Sequence, residues 1–449
     1  MAVPLAAAYL IASPPAGDLA AATYRSALFA RAGFSTWDTG WYAAHGYWLP
    51  AYSLLSPALG ALLGVRALLA LCALAACALF AAIAERVFPL AAARAAAAVF
   101  ALGACVGMLS GRVPYYLGFA IALGSVLASL RGRLALALVL AVLSSAASPV
   151  AGAFLALAAL AGALAARHWT LGGRVPEWGA RAGRPAVSDC LLLAAAALAP
   201  ILVLSAAYPN GGYEPFAASA FWPALAGVLA IALLLPPGGL SERRRATVRV
   251  AAALYTLALI AAYAIHTPMG GNAARLGALL AAPLLTGVLW ECRRGTLALL
   301  ALPLLYWQLA TPIRDYASIA GDPSVNASYY APLLTELRRL DGDARTIVEV
   351  PLTKAHWEAA YLAGHDGVKL ARGWERQLDT RYAALFYRPQ LTAADYRAWL
   401  IENRVRYIAL PDAPLDHAGH SEGALAARGL PYLRELWHSK HWRLYRFMG

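Results

Sequence analysis

The chain has 449 residues, of which 61% are hydrophobic and only 14% charged, a balance that excludes a cytosolic enzyme. Residues 1 to 312 carry 19 arginines, no lysine and eight acids, whereas residues 313 to 449 hold 18 basic and 16 acidic residues. The basic excess is scattered between apolar runs instead of forming a face, which sets nucleic acid aside and points to a polytopic membrane body followed by one water-soluble domain.

In chain order, the first apolar run (2 to 12) is short for a membrane span of about 20 residues. The sequence has no basic signal-peptide segment there: either the first helix is partly interfacial or the true start lies upstream of Met1. Residues 13 to 65 then form a long loop. Within it Asp18 to Phe34 sets Leu19, Ala22, Leu28 and Phe29 on one helical stripe with Arg25 and Arg31 opposite, the pattern of an interfacial helix. Trp37, Trp41, Tyr42, Tyr47, Trp48 and Tyr52 follow, with His45 among them. Such an aromatic cluster is either an anchor belt at membrane-surface height or a platform on which a sugar ring or lipid head stacks.

Ten further spans are predicted over 66 to 84, 93 to 109, 113 to 130, 134 to 147, 150 to 166, 189 to 207, 217 to 235, 247 to 265, 275 to 290 and 296 to 312, making about eleven. Arginine is concentrated in alternate loops: Arg86 with Arg94, Arg131 with Arg133, Arg167 through Arg184, Arg243 to Arg245 with Arg249, and Arg293 with Arg294. Basic loops stay cytoplasmic. The basic-poor loops at 110 to 112, 146 to 149, 208 to 216 and 266 to 275 therefore face out, as do loop 13 to 65 and the C-terminal part. In that part, 345 to 352, 404 to 410 and 441 to 447 are strand-like, and 330 to 340 and 393 to 403 are helical, the latter capped by Thr392 with Asp395 three residues on. The expected architecture is a polytopic α-helical body, 1 to 312, and a small extracytoplasmic α/β domain, 313 to 449.

No P-loop, dinucleotide fingerprint, HExxH or GxSxG motif occurs, so the energy for any reaction has to come from an already activated substrate. The five cysteines lie in or beside apolar runs and define neither a disulfide framework nor a zinc ribbon. Asp412, Asp416, His417, His420 and Glu422, and His438 with His441, are ligand-type residues in a polar stretch that reads as a solvated loop rather than a metal site. Among the membrane-body acids, Asp18, Asp38 and Glu214 face outward. Asp18, after Pro14, Pro15 and Gly17, is either the N-cap of the following helix or a catalytic carboxylate. Asp38 also reads as a turn in which its carboxylate bonds the backbone two residues on. Glu214, in Asn210-Gly211-Gly212-Tyr213-Glu214-Pro215, reads as part of a plain turn. Arg112 and Arg275 each head a span at the outer boundary, as snorkelling anchors or as phosphate ligands. The approach Gly270-Gly271-Asn272 to Arg275 suggests backbone amides and a guanidinium meeting one phosphate.

This layout resembles the GT-C class of integral membrane glycosyltransferases, which use polyprenyl-phosphate sugars as donors. The resemblance is specific over residues 17 to 60, in Gly17-Asp18-Leu19 through Tyr24-Arg25, Trp37-Asp38 through Gly46-Tyr47, and Pro50-Ala51-Tyr52-Ser53-Leu54-Leu55-Ser56-Pro57. The chain also looks like a group of actinobacterial multi-span proteins described as membrane proteins or transporters. The GT-C resemblance implies inverting transfer to a glycan, lipid or protein acceptor of the cell envelope, at the outer face of the plasma membrane. It implies a first-loop Asp as general base, Asp18 before Asp38, with Arg25, Trp37, Trp41, Tyr42, His45, Tyr47 and Tyr52 as substrate contacts. The adjacent acidic pair that holds a divalent ion in some members is missing from this loop, so no metal is expected and Arg112 and Arg275 neutralise the departing phosphate. The alternatives are a transporter or lipid-sugar flippase, and a scaffold; no internal repeat and no buried acid suited to proton coupling favours transport.

Overall fold

The computed structural model describes residues 1–43, 45–171, 186–235, 242–341, 346–363, 365, 367–387 and 390–449. Most of the basic loop predicted over 167 to 184 and the start of the strand predicted at Arg345 lie outside the described residues.

All the stretches predicted as spans are helical. They are α1 (Ala2–Ala12), α4 (Val65–Val87), α5 (Leu90–Gly107), α6 (Val113–Leu130), α7 (Leu134–Ala147), α8 (Pro149–Leu171), α9 (Val187–Ala207), α10 (Ala218–Leu234), α11 (Glu242–Ala264), α12 (Arg275–Leu289) and α13 (Arg294–Ala317), with α2 (Gly17–Ala32) and α3 (Ser56–Leu63) inserted in the first loop. By length and composition eight of these helices can cross a membrane, while α1, α7 and α10 are shorter apolar helices. Small residues let the helices approach closely, and hydroxyls join them. Ser125 Oγ donates to the Ala137 carbonyl at 2.7 Å, Ser144 Oγ to Gly118 at 2.9 Å and Ser145 Oγ to Ala197 at 2.6 Å. Phe80 stacks on Phe100 at 4.2 Å between α4 and α5.

The segments predicted to share one side of the membrane do meet at one end of the bundle. The Leu54 amide donates to the Ala146 carbonyl at 2.9 Å, the Glu214 amide to Thr267 at 3.1 Å, and Asn210 exchanges two hydrogen bonds with the Trp48 backbone at 2.7 and 2.8 Å.

Two expectations about the first loop are corrected. The polar face of helix α2 is not all open to solvent: Leu19, Ala20, Ala21, Tyr24 and even Arg25 are buried while Arg31 stays exposed, because the C-terminal domain covers Arg25 through Glu375. Nor is Asp18 the N-cap. The helix starts at Gly17, Ala16 occupies the cap position without a side-chain bond, and Asp18 sits in the first turn.

The C-terminal domain carries a five-stranded sheet made of β3 (Ile347–Glu349), β4 (Lys369–Leu370), β5 (Tyr407–Pro411), β6 (Leu433–His438) and β7 (Trp442–Phe447), in the order β4-β3-β5-β7-β6; β1 (Trp37–Asp38) and β2 (Tyr47–Trp48) form a separate antiparallel pair in the first loop. Strand β3 runs parallel to β4 and β5, while β7 pairs antiparallel with β5 and β6. Sequence patterning finds β3, β5 and β7. It misses β4, only two residues long, and β6, an edge strand with charged and half-buried positions. Helices Ala327–Asp341 and Ala393–Glu402 flank the sheet, and Thr392 caps the second by accepting from the Asp395 amide at 3.1 Å.

Candidate functional site

At the end of the bundle where the loops predicted to face out meet, a cavity of about 910 Å³ opens between α10, α12 and α13. Its head is polar, with Ser110, Arg112, Glu214, Asn272, Arg275 and Arg314; its trunk is made of small and apolar residues such as Ala226, Gly227, Ala278, Leu304 and Trp307. On α13 the lining runs from Leu300 to Arg314, which at 1.5 Å per residue is about 21 Å along the helix. The site is a charged head on a long greasy groove.

Two close backbone approaches assemble the head. Gly111 has φ 73°, and a Cβ there would lie 2.7 Å from the Leu19 amide nitrogen, so only glycine lets the α5–α6 turn press onto the start of α2. That contact delivers Arg112 to Asp18, with Nε 3.2 Å from Oδ2, while its Nη2 lies 3.3 Å from Asp315 Oδ2. Asp315 also accepts from Ser110 Oγ at 2.6 Å. The second approach is at Gly270, with φ 38°, where a Cβ would fall 1.9 Å from the Glu214 carbonyl oxygen. It brings the loop of Glu214 against the one that leads into α12 and Arg275. The glycines before Arg275 therefore do not cradle a phosphate as expected: the Gly271 amide donates to the Pro215 carbonyl at 3.3 Å.

The two arginines end up in different states. Arg112 is bracketed by two carboxylates. Arg275 lies over the Tyr115 ring at 5.5 Å, and among the described residues no carboxylate stands within 4 Å of it. A guanidinium turned into a cavity without a counter-ion is a site for an anion. Glu214, which sequence patterning reduces to a turn, lines the same head. Burial pushes its carboxyl up to about 7, with the Arg275 charge pulling the other way. Asp315 was also missed, because it falls just past the last predicted span; its position one helix end away from Arg112 is the signal that marks it.

Asp38 is placed elsewhere. It is 6% exposed and bound on both oxygens, Oδ1 by the Gly40 amide at 2.9 Å and Oδ2 by Tyr24 Oη at 2.7 Å. This is the turn read from the sequence, and the carboxylate is occupied in holding it.

The aromatic cluster is neither a belt nor an open platform. Trp41, Tyr42 and Tyr47 are at most 2% exposed, and Trp41 packs on Trp374 of the C-terminal domain at 4.7 Å. Arg25 reaches Glu375 with both terminal nitrogens, at 3.0 and 2.5 Å, and its guanidinium faces the rings of Trp41, Tyr47 and Tyr52. His45 lies 3.9 Å from Asp379. These side chains, expected to contact substrate, are the packed joint between loop and domain. Trp37, paired edge-on with Trp48 at 4.6 Å, stays 42% exposed.

The ligand-type residues of the C-terminal domain disperse. Asp416 lies 3.7 Å from His356, Glu422 is buried against Arg372 at 2.5 Å, and His438 lies 3.2 Å from Glu435. Among the described residues no group of three or more His, Cys, Asp or Glu is arranged to hold a metal ion.

The chain is similar to two solved structures of an oligosaccharyltransferase from Archaeoglobus fulgidus. One is tethered to an acceptor peptide containing the NVT sequon by a disulfide bond, at 13% identity and a TM-score of 0.49. The other is AglB in complex with an inhibitory peptide and a dolichol-phosphate, at 12% identity and a TM-score of 0.48. Each match covers 88% of this chain and 65% of the other, so the chain spans just under two thirds of their length. No protein-family model and no curated protein matches the chain.

Proposed function

We propose that this protein is a GT-C-type membrane glycosyltransferase that moves a sugar from a polyprenyl-phosphate donor to a cell-envelope acceptor at the outer face of the plasma membrane. The observation that carries the reading is the cavity: Arg275, an arginine with no carboxylate partner among the described residues, at the head of an apolar groove about 21 Å long. One phosphate and an isoprenoid chain have that shape and that polarity. In the proposed reaction Asp18, half-exposed beside Arg112, accepts the proton of the acceptor hydroxyl. The acceptor oxygen forms its bond to the anomeric carbon from the side opposite the phosphate, the carbon–oxygen bond to phosphate breaks, and its electron pair leaves on the polyprenyl phosphate. Arg275, helped by Arg112, stabilises that charge, and the reading includes no divalent ion.

The deciding experiment reconstitutes the chain in vesicles with a polyprenyl-phosphate sugar labelled in the sugar and supplies an envelope extract as acceptor. Release of free polyprenyl phosphate together with label in a new product supports transfer. Label that crosses the bilayer while still attached to its lipid would instead establish the flippase alternative.

Glu214 adds a pH dependence with a definite sign. Below about 7 its carboxyl is neutral and leaves the charge of Arg275 unopposed; above that value its charge opposes an incoming anion. Affinity for a polyprenyl phosphodiester, whose own charge does not change in this range, is expected to fall as pH rises through 7. An interaction of about 1 kcal/mol at an effective dielectric near 20 corresponds to roughly fivefold. Titrations at pH 6 and 8 should show that fall in the wild type and a flat response in Glu214→Gln; a parallel fall in the variant removes Glu214 from the site.

A further inference from the structure

Residues 371 to 379 leave strand β4 and cross to the membrane body, where three contacts hold them. A Cβ on Gly373 would meet Trp41 Nε1 at 2.2 Å, Glu375 clamps Arg25, and a Cβ on Gly212 would lie 2.0 Å from the Gln377 carbonyl oxygen. Gly212 stands two residues before Glu214, a residue of the cavity head, so this segment abuts the loop that carries Glu214. Arg376 sits between the last two contacts. Its guanidinium lies 3.9 Å over the Tyr387 ring and 5.7 Å from the Tyr213 ring, and its Nε has no hydrogen-bond partner. Among the described residues it has no carboxylate within 4 Å. Tyr213 is 36% exposed and meets His266 edge-on at 4.4 Å. An arginine with no carboxylate within reach among the described residues thus stands beside a half-exposed aromatic ring of the Glu214 loop, and neither of the two lines the head in which Arg275 lies.

We propose that Arg376 and Tyr213 form a binding subsite for a carboxylate-bearing sugar, a uronate, on the acceptor side of the cavity. Its role as an acceptor subsite rests on the glycosyltransferase reading; recognition of the uronate does not. Arg376 offers one planar fork, which matches one carboxylate. Glu214 and Asp416 are both within electrostatic reach of this site, and they oppose a dianion such as a phosphate monoester more than a monoanion. Tyr213 supplies an apolar face against which the C–H face of a sugar ring packs.

The test uses the full chain in lipid nanodiscs and two probes of the same ring structure, trigalacturonic acid and its methyl ester, with a polyprenyl phosphodiester titrated separately. The wild type is expected to bind the acid at least tenfold more tightly than the ester. Arg376→Gln should erase that preference and Arg376→Lys should keep only part of it, with phosphodiester affinity unchanged in both. Should Arg376→Gln fail to fold, Tyr213→Ala, altered on an exposed loop, should weaken acid and ester alike by several-fold through loss of the ring contact. Equal binding of acid and ester, no binding of the acid, or a preference that survives in Arg376→Gln overturns the proposal. A wild type that prefers the uronate but does not bind the phosphodiester would leave this subsite standing and bring down the donor reading instead.

Discussion

Replacing Arg275 by alanine is expected to weaken binding of a polyprenyl phosphodiester by about a hundredfold, the scale of removing one partner from a buried, hydrogen-bonded charge pair. The size of the effect follows from where the charge sits. Arg112, on the same rim, is already bracketed by Asp18 and Asp315, so a phosphate would have to compete with two carboxylates for it. Arg275 has a tyrosine ring beneath it and no such competitor. Arg275→Lys keeps the charge but loses the planar fork and the ring contact, and should recover only part of the affinity. Binding measured by fluorescence of a labelled lipid phosphate checks both variants. Unchanged affinity in both would make Arg275 a snorkelling anchor and leave Arg112 and Arg314 as the cations of the head.

The second expectation concerns Asp18→Asn, for which sugar transfer should drop about a thousandfold, within the range attributed to a positioned general base. Asparagine retains an oxygen that can accept from Arg112 Nε, where the present bond measures 3.2 Å, so the joint between α2 and the α5–α6 turn should persist. What disappears is the capacity to take a proton. Asp18 makes no capping bond in α2, so the variant costs the helix only its first-turn charge, about 0.3 to 1 kcal/mol, and thermal melting shows whether that matters. Thermal melting like that of the wild type, phosphodiester binding no weaker than the wild type's and lost transfer together identify a base. Transfer at the wild-type rate would assign Asp18 to orienting Arg112 and move the search to Glu214, which lines the cavity head itself.

The helices were legible because a bilayer imposes a length and an apolar composition that few other environments demand. Asp38 was legible as well, since an Asx turn is decided within three residues. What sequence could not convey is anything created by distant approach. Glu214 gains its character from Gly270, more than fifty residues away, pressing on its carbonyl; nothing local separates it from an ordinary turn glutamate. The aromatic run from Trp37 to Tyr52 failed for a related reason. A packed joint and a membrane-surface belt both call for rings with one polar end, and only the position of Trp374 decides between them. Arg25 looked like the solvent side of an amphipathic helix until its partner, 350 residues further along, covered it.

That last separation has a consequence for the order in which the molecule can be made. Loop 13 to 65 emerges some 350 residues ahead of its partner, because Arg25, Trp41 and Tyr42 find their contacts only on the segment around Glu375. At about 5 to 20 residues per second, the interval is roughly 20 to 70 s. Throughout it a set of bulky rings and a lone guanidinium face the aqueous side uncovered, a window in which a membrane chaperone or the lipid surface itself has to shield them. This loop is thus translated well before the segment it packs on and completes its fold only with it.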